Sequence, residues 1–270
     1  MMYVITGHEK QNGTKVKRFC LERILFMKIN NIVYIAELDQ DVDDVIAARY
    51  LHQENALACV VLDPYPTTPE GIERLKSLQY LGIPIARRIP PTAEHVFVGG
   101  PLTLVAEHIK FRHIETLVIN GGFVGHGIST HELPKFKNKE TIRTFNFNSD
   151  VNATDSVLRS DANHIEQIIL IGKNVCHDKR NTRSGFWSDD KYQKIFDEYN
   201  VSDHKLQHDM LACHEGLALL NDEPTFCQYD TIRPYNTGLN GNQTLWGSTK
   251  SYTSPYRHVL AAIGYKELTT

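Results

Sequence analysis

Short apolar runs alternate with helix-period segments from Ile32 to Leu220, and this alternation constrains the fold more than any other feature of the chain. Ile32–Ala36 is long enough for one buried strand. Val42–Gln53 follows directly, with Val45, Ile46, Ala48 and Leu51 at helical spacing. Ala56–Leu62 reads as the next strand and Thr68–Leu81 as a helix opened by Thr67, Thr68 and Pro69. Ile83–Ala86, Val96–Val98, Thr116–Asn120 and Gln167–Ile171 are further strands, and Leu102–Ile109, Asp150–Asn163, Asp189–Tyr199 and Gln207–Leu220 further helices. Strands that are apolar throughout belong to parallel sheets buried on both faces, with helices as crossovers. The expectation is an α/β domain with a mostly parallel sheet and helices on both faces. In such sheets ligands sit outside the carboxyl ends of the strands. Each polar cluster just after a strand is therefore a candidate for one shared site.

The whole chain, 1–270, is expected to form a single domain of this kind. Residues 1–30 form an extension with a β-hairpin: strands Tyr3–Thr6 and Lys15–Cys20 about the turn Asn12-Gly13. The start of the chain lacks the apolar core of a signal peptide, and no stretch is apolar enough for a membrane span. Five cysteines without a CxxC pair suit reduced thiols in a cytoplasmic protein rather than a disulfide framework. A net charge of −3 with no long basic run argues against a polynucleotide partner.

The densest chemistry follows the first apolar strand. Asp39, Asp41, Asp43 and Asp44 lie where strand gives way to helix, with Glu37 just before. Packed carboxylates repel unless a cation or proton compensates, and an all-oxygen set favours a hard cation such as Ca²⁺ or Mg²⁺. Capping of the helix N-terminus accounts for one or two of these acids; four exceed what capping needs. An EF-hand loop requires Gly sixth and Glu twelfth, where this chain has Asp44 and Tyr50. Asp39-Gln40-Asp41-Val42 also matches the opening of a haloacid-dehalogenase-type phosphatase, but no later acidic Gly-Asp-x-x-x-Asp element accompanies it.

Asp39, Asp43 and Asp44 before Val45-Ile46-Ala47 resemble the Asp-x-x-x-Asp-Asp opening of the nucleoside hydrolase family. Five further segments resemble that family in the same order: Gly100-Pro101-Leu102-Thr103; Leu117 to Asn120-Gly121-Gly122; Phe145-Asn146 to Asp150; Asn174-Val175-Cys176-His177; and Leu206 to His208-Asp209 and Ala212. The resemblance, to inosine-uridine-preferring members in particular, covers most of the chain but not the opening hairpin. It implies an N-ribohydrolase of nucleoside metabolism and purine or pyrimidine salvage. It implies one Ca²⁺ per chain, ahead of Mg²⁺, held by Asp39, Asp44, Asp209 and the Thr103 carbonyl. Asp39 would be the general base and His208 the group that protonates the leaving base. Asp43 and Asn146 would grip ribose hydroxyls, with Asp63 and Asn120 also in the substrate site.

The chain departs from the family pattern at Gln40, Asp41 and Leu104, and at Thr144, where the resemblance implies a glutamate beside the ribose 5′-hydroxyl. With Arg143 adjacent, Thr144 makes a 5′-phosphate acceptable there, so nucleotides or 5′-substituted nucleosides join ribonucleosides as expected ligands. The alternatives are a nucleoside-binding protein of weak catalysis and the phosphatase; self-association into a homo-oligomer is left open. Phe186, Trp187 and Tyr192 either stack on a base or anchor the Asp189–Tyr199 helix, and the polar His126–Lys139 stretch, broken by Pro134, is a candidate loop over the site.

Overall fold

The computed structural model describes residues 30–240, 243–251 and 254–267. The hairpin expected over Tyr3–Cys20 lies outside them. The chain begins with β1 (Ile32–Ala36), α1 (Asp43–Gln53), β2 (Leu57–Leu62), α2 (Pro69–Tyr80), β3 (Ile85–Ala86), β4 (His95–Val98), α3 (Thr103–His108) and β5 (Ile114–Asn120). A 3-10 turn at Pro134–Phe136 precedes β6 (Thr141–Arg143), α4 (Phe145–Ser149), α5 (Val151–Arg159), β7 (Ile165–Ile171) and the short α6 (Lys173–Cys176). Helices α7 (Asp190–Glu198) and α8 (His208–Leu220) lead to β8 (Cys227–Asn240), β9 (Gln243–Thr249) and β10 (Val259–Tyr265).

One sheet of ten strands runs in the order β3-β2-β1-β4-β5-β7-β10-β8-β9-β6. The seven from β3 to β10 pair in parallel; β8, β9 and β6 add an antiparallel wing. The α/β class expected from the apolar runs is the class observed. Side-chain alternation along β1 explains why its five residues are all apolar: Ile32, Tyr34 and Ala36 join one core layer with α1, α7 and α8, while Val33 and Ile35 join the opposite layer with α3 and α5. Burying both faces removes the polar alternation that a half-exposed strand would show.

The strand order reverses between β1 and β4, since the chain leaves β1 for β2 on one side and returns to β4 on the other. At such a switch point the loops leaving the carboxyl ends diverge and open a crevice. The loops after β1, β4, β5 and β7 all meet there. Helices α1 and α8 pack against each other with their first turns at this end of the sheet.

The expected boundaries shift by only a few residues where caps decide them. The Thr68 hydroxyl accepts from the Gly71 N–H and starts α2, and the Asp150 carboxylate accepts from the Ala153 N–H and starts α5. The aromatic cluster takes its structural role: Trp187 is fully buried, donates Nε1–H to Asn181 Oδ1 at 2.9 Å, and packs with Tyr50, Tyr192, His214 and Phe226. Phe186 stacks on Phe226 at 4.4 Å. These rings fix α7 to the core and are not part of the crevice wall. Cys59, Cys176, Cys213 and Cys227 are buried free thiols. No helix among the described residues is long and apolar enough to cross a membrane.

Candidate metal centre and its cavity

The crevice holds a cavity of about 250 Å³. Its acidic side comes from Glu37, Asp41, Asp43 and Asp44 after β1, and from Asp209 in the first turn of α8. Gly99 follows β4, Asn120 and Gly121 end β5, Thr144, Phe145 and Asn146 open α4, and Lys173, Cys176 and His177 follow β7. His208 completes the wall.

Asp43, Asp44 and Asp209 form the core of this site. Each is 4% exposed, and one oxygen from each lies within 4.8 Å of the others. Three buried carboxylates so close are unfavourable unless protons or a cation offset the charge. Among the described residues no lysine or arginine pairs with any of them. Burial, then the Asp44 and Asp43 charges, push Asp209 well above the usual carboxylate range. Burial and Asp43 do the same to Asp44, and burial and Asp41 push Asp43 up to about 6. Protons must offset this repulsion when no cation is present.

The surroundings hold these oxygens in place. The Tyr34 hydroxyl donates to Asp44 Oδ1 at 2.7 Å and Asn120 Nδ2 donates to Asp209 Oδ1 at 2.6 Å. Asn146 Nδ2 donates to the Gly99 and Asn120 carbonyls, each at 2.7 Å, tying the ends of β4 and β5 together. A Cβ on Gly99 would fall inside contact distance of the Tyr34 hydroxyl and Asp44 Oδ1, and 2.8 Å from Asp209 Oδ1. The backbone therefore approaches the acids as only glycine allows. Oxygen-only donors, deep burial, fixed orientation and uncompensated charge fit a hard divalent cation.

Two of the expected ligands, Asp44 and Asp209, lie in the cavity wall, whereas Asp39 and Thr103 do not. Asp39 stays outside the trio, and Asp43 stands with Asp44 and Asp209 instead. The Asp39 carboxylate accepts from the backbone N–H and hydroxyl groups of Thr67 and Thr68, at 2.8–3.1 Å, ahead of α2. These bonds outweigh the small cost of burial and hold it below the usual carboxylate range. Of the acids in this cluster, Asp39 thus binds the entrance of a helix, α2, in the manner expected of one or two of them.

The other expected residues divide. Asn120, Asn146, Asp43 and His208 line the cavity; Thr103, Asp63 and Arg143 do not. Thr103 Oγ1 donates to Asp150 Oδ2 at 3.0 Å. Burial raises the Asp63 carboxyl, whose Oδ2 is buried without a hydrogen-bond partner. Arg143 is exposed on β6, because the strand alternation that buries Ile142 turns its neighbour outward.

His208 is half-buried, its ring 4.6 Å from that of His177. Burial, then the Lys205 charge, lower it to about 4, and burial and His208 lower His177 to about 3. Both imidazoles are neutral at pH 7, so His208 brings no net proton to a leaving group. Among the charged residues of the cavity wall, Lys173 escapes the sequence patterns, whereas Glu37 and His177 lie in segments that those patterns single out. Lys173 carried a signal, since it follows the apolar run of β7 as the acids follow β1.

A second group, Glu94, His95 and Glu115, also brings potential ligand atoms within 4.8 Å of one another, but at the start of β4 and β5 with both acids exposed.

No protein-family model matches the chain, and no curated protein does. Among solved structures it is similar to the inosine-uridine preferring nucleoside hydrolase from Bacillus anthracis, at 16% sequence identity and a TM-score of 0.49, over 87% of this chain and 94% of that one.

Proposed function

We propose that this chain is an N-ribohydrolase that binds a divalent cation, Ca²⁺ ahead of Mg²⁺, and hydrolyses the N-glycosidic bond of a ribonucleoside or its 5′-substituted form. The observation that carries the reading is the convergence of three buried carboxylates, Asp43, Asp44 and Asp209, on one cavity at the carboxyl ends of the strands. Segments singled out in the sequence at widely separated positions contribute to the same wall: Asp43-Asp44, Asn120-Gly121, Asn146, Cys176-His177 and His208-Asp209. Asp43, Asp44 and Asp209 would hold the cation, which supplies Lewis acidity towards water and sugar hydroxyls.

The protein's own residues supply the rest. Asp43, in the cavity wall beside Asp44 and Asp209, would accept the proton from attacking water. The role first expected of Asp39 thus passes to Asp43. Glu37 adds negative charge around a ribosyl carbon that becomes positive as the C–N bond breaks, while Lys205 offsets the charge of Asp41. Asn120 and Asn146 keep the acids and the ends of β4 and β5 in register, and this positioning lowers the cost of reaching the transition state. His208 as a neutral imidazole offers a hydrogen bond to the departing base.

Chromatography of base released from a nucleoside panel, with Ca²⁺ and with chelator, tests the reading. Chelator-sensitive release of free base is expected. Tight nucleoside binding with no release would favour a binding protein, and phosphate release without free base a phosphatase.

A further inference from the structure

The cavity of the three acids also has a cationic side chain in its wall. Lys173 lines it directly after β7, and among the described residues it has no carboxylate partner. The charges that act most on Lys173 are other cations: beyond the cost of burial, Lys135 and Arg143 both push its ammonium down. Lys135 reaches over from the 3-10 turn and donates from Nζ to His177 Nδ1 at 2.6 Å, with the His177 ring set edge-on to Phe136 at 5.7 Å. An ammonium only donates, so His177 Nδ1 is the acceptor and the ring proton sits on Nε2. His177 is thereby fixed as a further donor in the wall of the cavity. Thr144, also in that wall, is 1% exposed and its Oγ1 has no partner.

A protein rarely gathers cations and partly buries them without counter-charge, because each loses hydration that nothing repays. Here one half-buried ammonium group lines the cavity of the three acids, beside an N–H donor tied to the exposed Lys135. The ligand that matches such a cavity is hydroxyl-rich towards the acids and anionic towards Lys173. A phosphate monoester fits beside Lys173 best: it is compact, dianionic near neutral pH, and its oxygens accept from several donors at once. We infer that the wall formed by Lys173, His177 and Thr144, with Lys135 bonded to His177, is a phosphoryl subsite, and that the ligand is a ribosyl 5′-phosphate rather than an unmodified nucleoside. The inference rests on the cavity being a ribosyl site. It differs from the expectation drawn from Arg143, whose exposed side chain lies outside the wall and acts on the subsite only through its field on Lys173.

Calorimetry with ribose 5-phosphate, ribose and inorganic phosphate, each in the presence of Ca²⁺, separates this inference from the hydrolase reading because it requires no turnover. Ribose 5-phosphate is expected to bind at least tenfold more tightly than either of the other two. Lys173→Met and Lys135→Met are each expected to weaken ribose 5-phosphate about tenfold and to leave ribose within twofold. The Lys135 variant alters an exposed turn, so it remains informative should Lys173→Met fail to fold. Equal affinity for ribose and ribose 5-phosphate would overturn the inference, as would lysine variants without effect. Inorganic phosphate binding as tightly as ribose 5-phosphate would also overturn it, by marking a free-anion site. Base release from nucleosides together with equal ribose affinities would refute the subsite alone and leave the hydrolase reading standing.

Discussion

Asp44 and Asp209 are held against the electrostatics of their own neighbourhood, and that sets the expected behaviour of substitutions. In chelated protein, Asp209→Asn removes one of three mutually repelling buried carboxylates while keeping the amide partner Asn120 in reach. The variant is expected to melt higher than the parent; each kcal/mol gained is worth about 2–4 °C for a domain of this size. It is also expected to lose most of the Tm increase that Ca²⁺ gives the parent. Scanning calorimetry with and without Ca²⁺ checks both, and a variant still stabilised by Ca²⁺ like the parent would refute the ligand role. Gly99→Ala makes a different demand. Its methyl must displace the Tyr34 hydroxyl or the Asp44 and Asp209 oxygens, so Ca²⁺ affinity should fall more than tenfold with the sheet intact by circular dichroism.

At the scale of elements, the acids are presented by the first turns of α1 and α8, neither of which has a side-chain N-cap. Their N-terminal dipoles offset part of the charge of Asp43, Asp44 and Asp209. Helix α2 instead has Thr68 as cap and Asp39 bound across its entrance. Thr68→Ala should therefore cost about 1 kcal/mol in urea denaturation and leave Ca²⁺ affinity unchanged; a large loss of affinity would show that Asp39 serves the metal after all. Strands and helices from Ile32 to Leu220 were legible because two-sided burial leaves apolar runs and one-sided burial leaves helical periodicity. The antiparallel wing was not. β8 mixes Asp230, Thr231, Arg233, Pro234 and Gly238 with apolar residues along a strand that is half exposed for much of its length, so its pattern resembles that of a loop. The acids were legible as a cluster, but which of Asp39 and Asp43 turns inward depends on Thr67 and Thr68. Those partners read in the sequence as the opening of α2, and nothing there ties them to Asp39. Lys135 was equally hidden, since only the fold brings the 3-10 turn to His177.

For the molecule as a whole, the raised acids couple stability to pH and to cation. In chelated protein, a carboxyl whose folded pKa lies above its ordinary value binds protons more tightly folded than unfolded. Its effect on stability is most favourable in acid and is lost as pH rises through the interval between the two pKa values. For Asp43 that interval runs from the ordinary 3.8 to about 6, and for Asp44 and Asp209 it extends higher. The gap in Tm between Ca²⁺-loaded and chelated protein should therefore widen from pH 5 to pH 8, because the cation replaces the protons the acids would otherwise keep. A gap independent of pH would mean the cation binds elsewhere. The central claim is that Asp43, Asp44 and Asp209, and not Asp39, make the metal centre. Calorimetric titration of Ca²⁺ into the parent protein, Asp209→Asn, Asp43→Asn and Asp39→Asn tests it most directly. The account predicts one site per chain, more than tenfold weaker in the first two variants and within about threefold of the parent in the third. No Ca²⁺ binding by the parent, or binding lost with Asp39 and kept without Asp209, would contradict it.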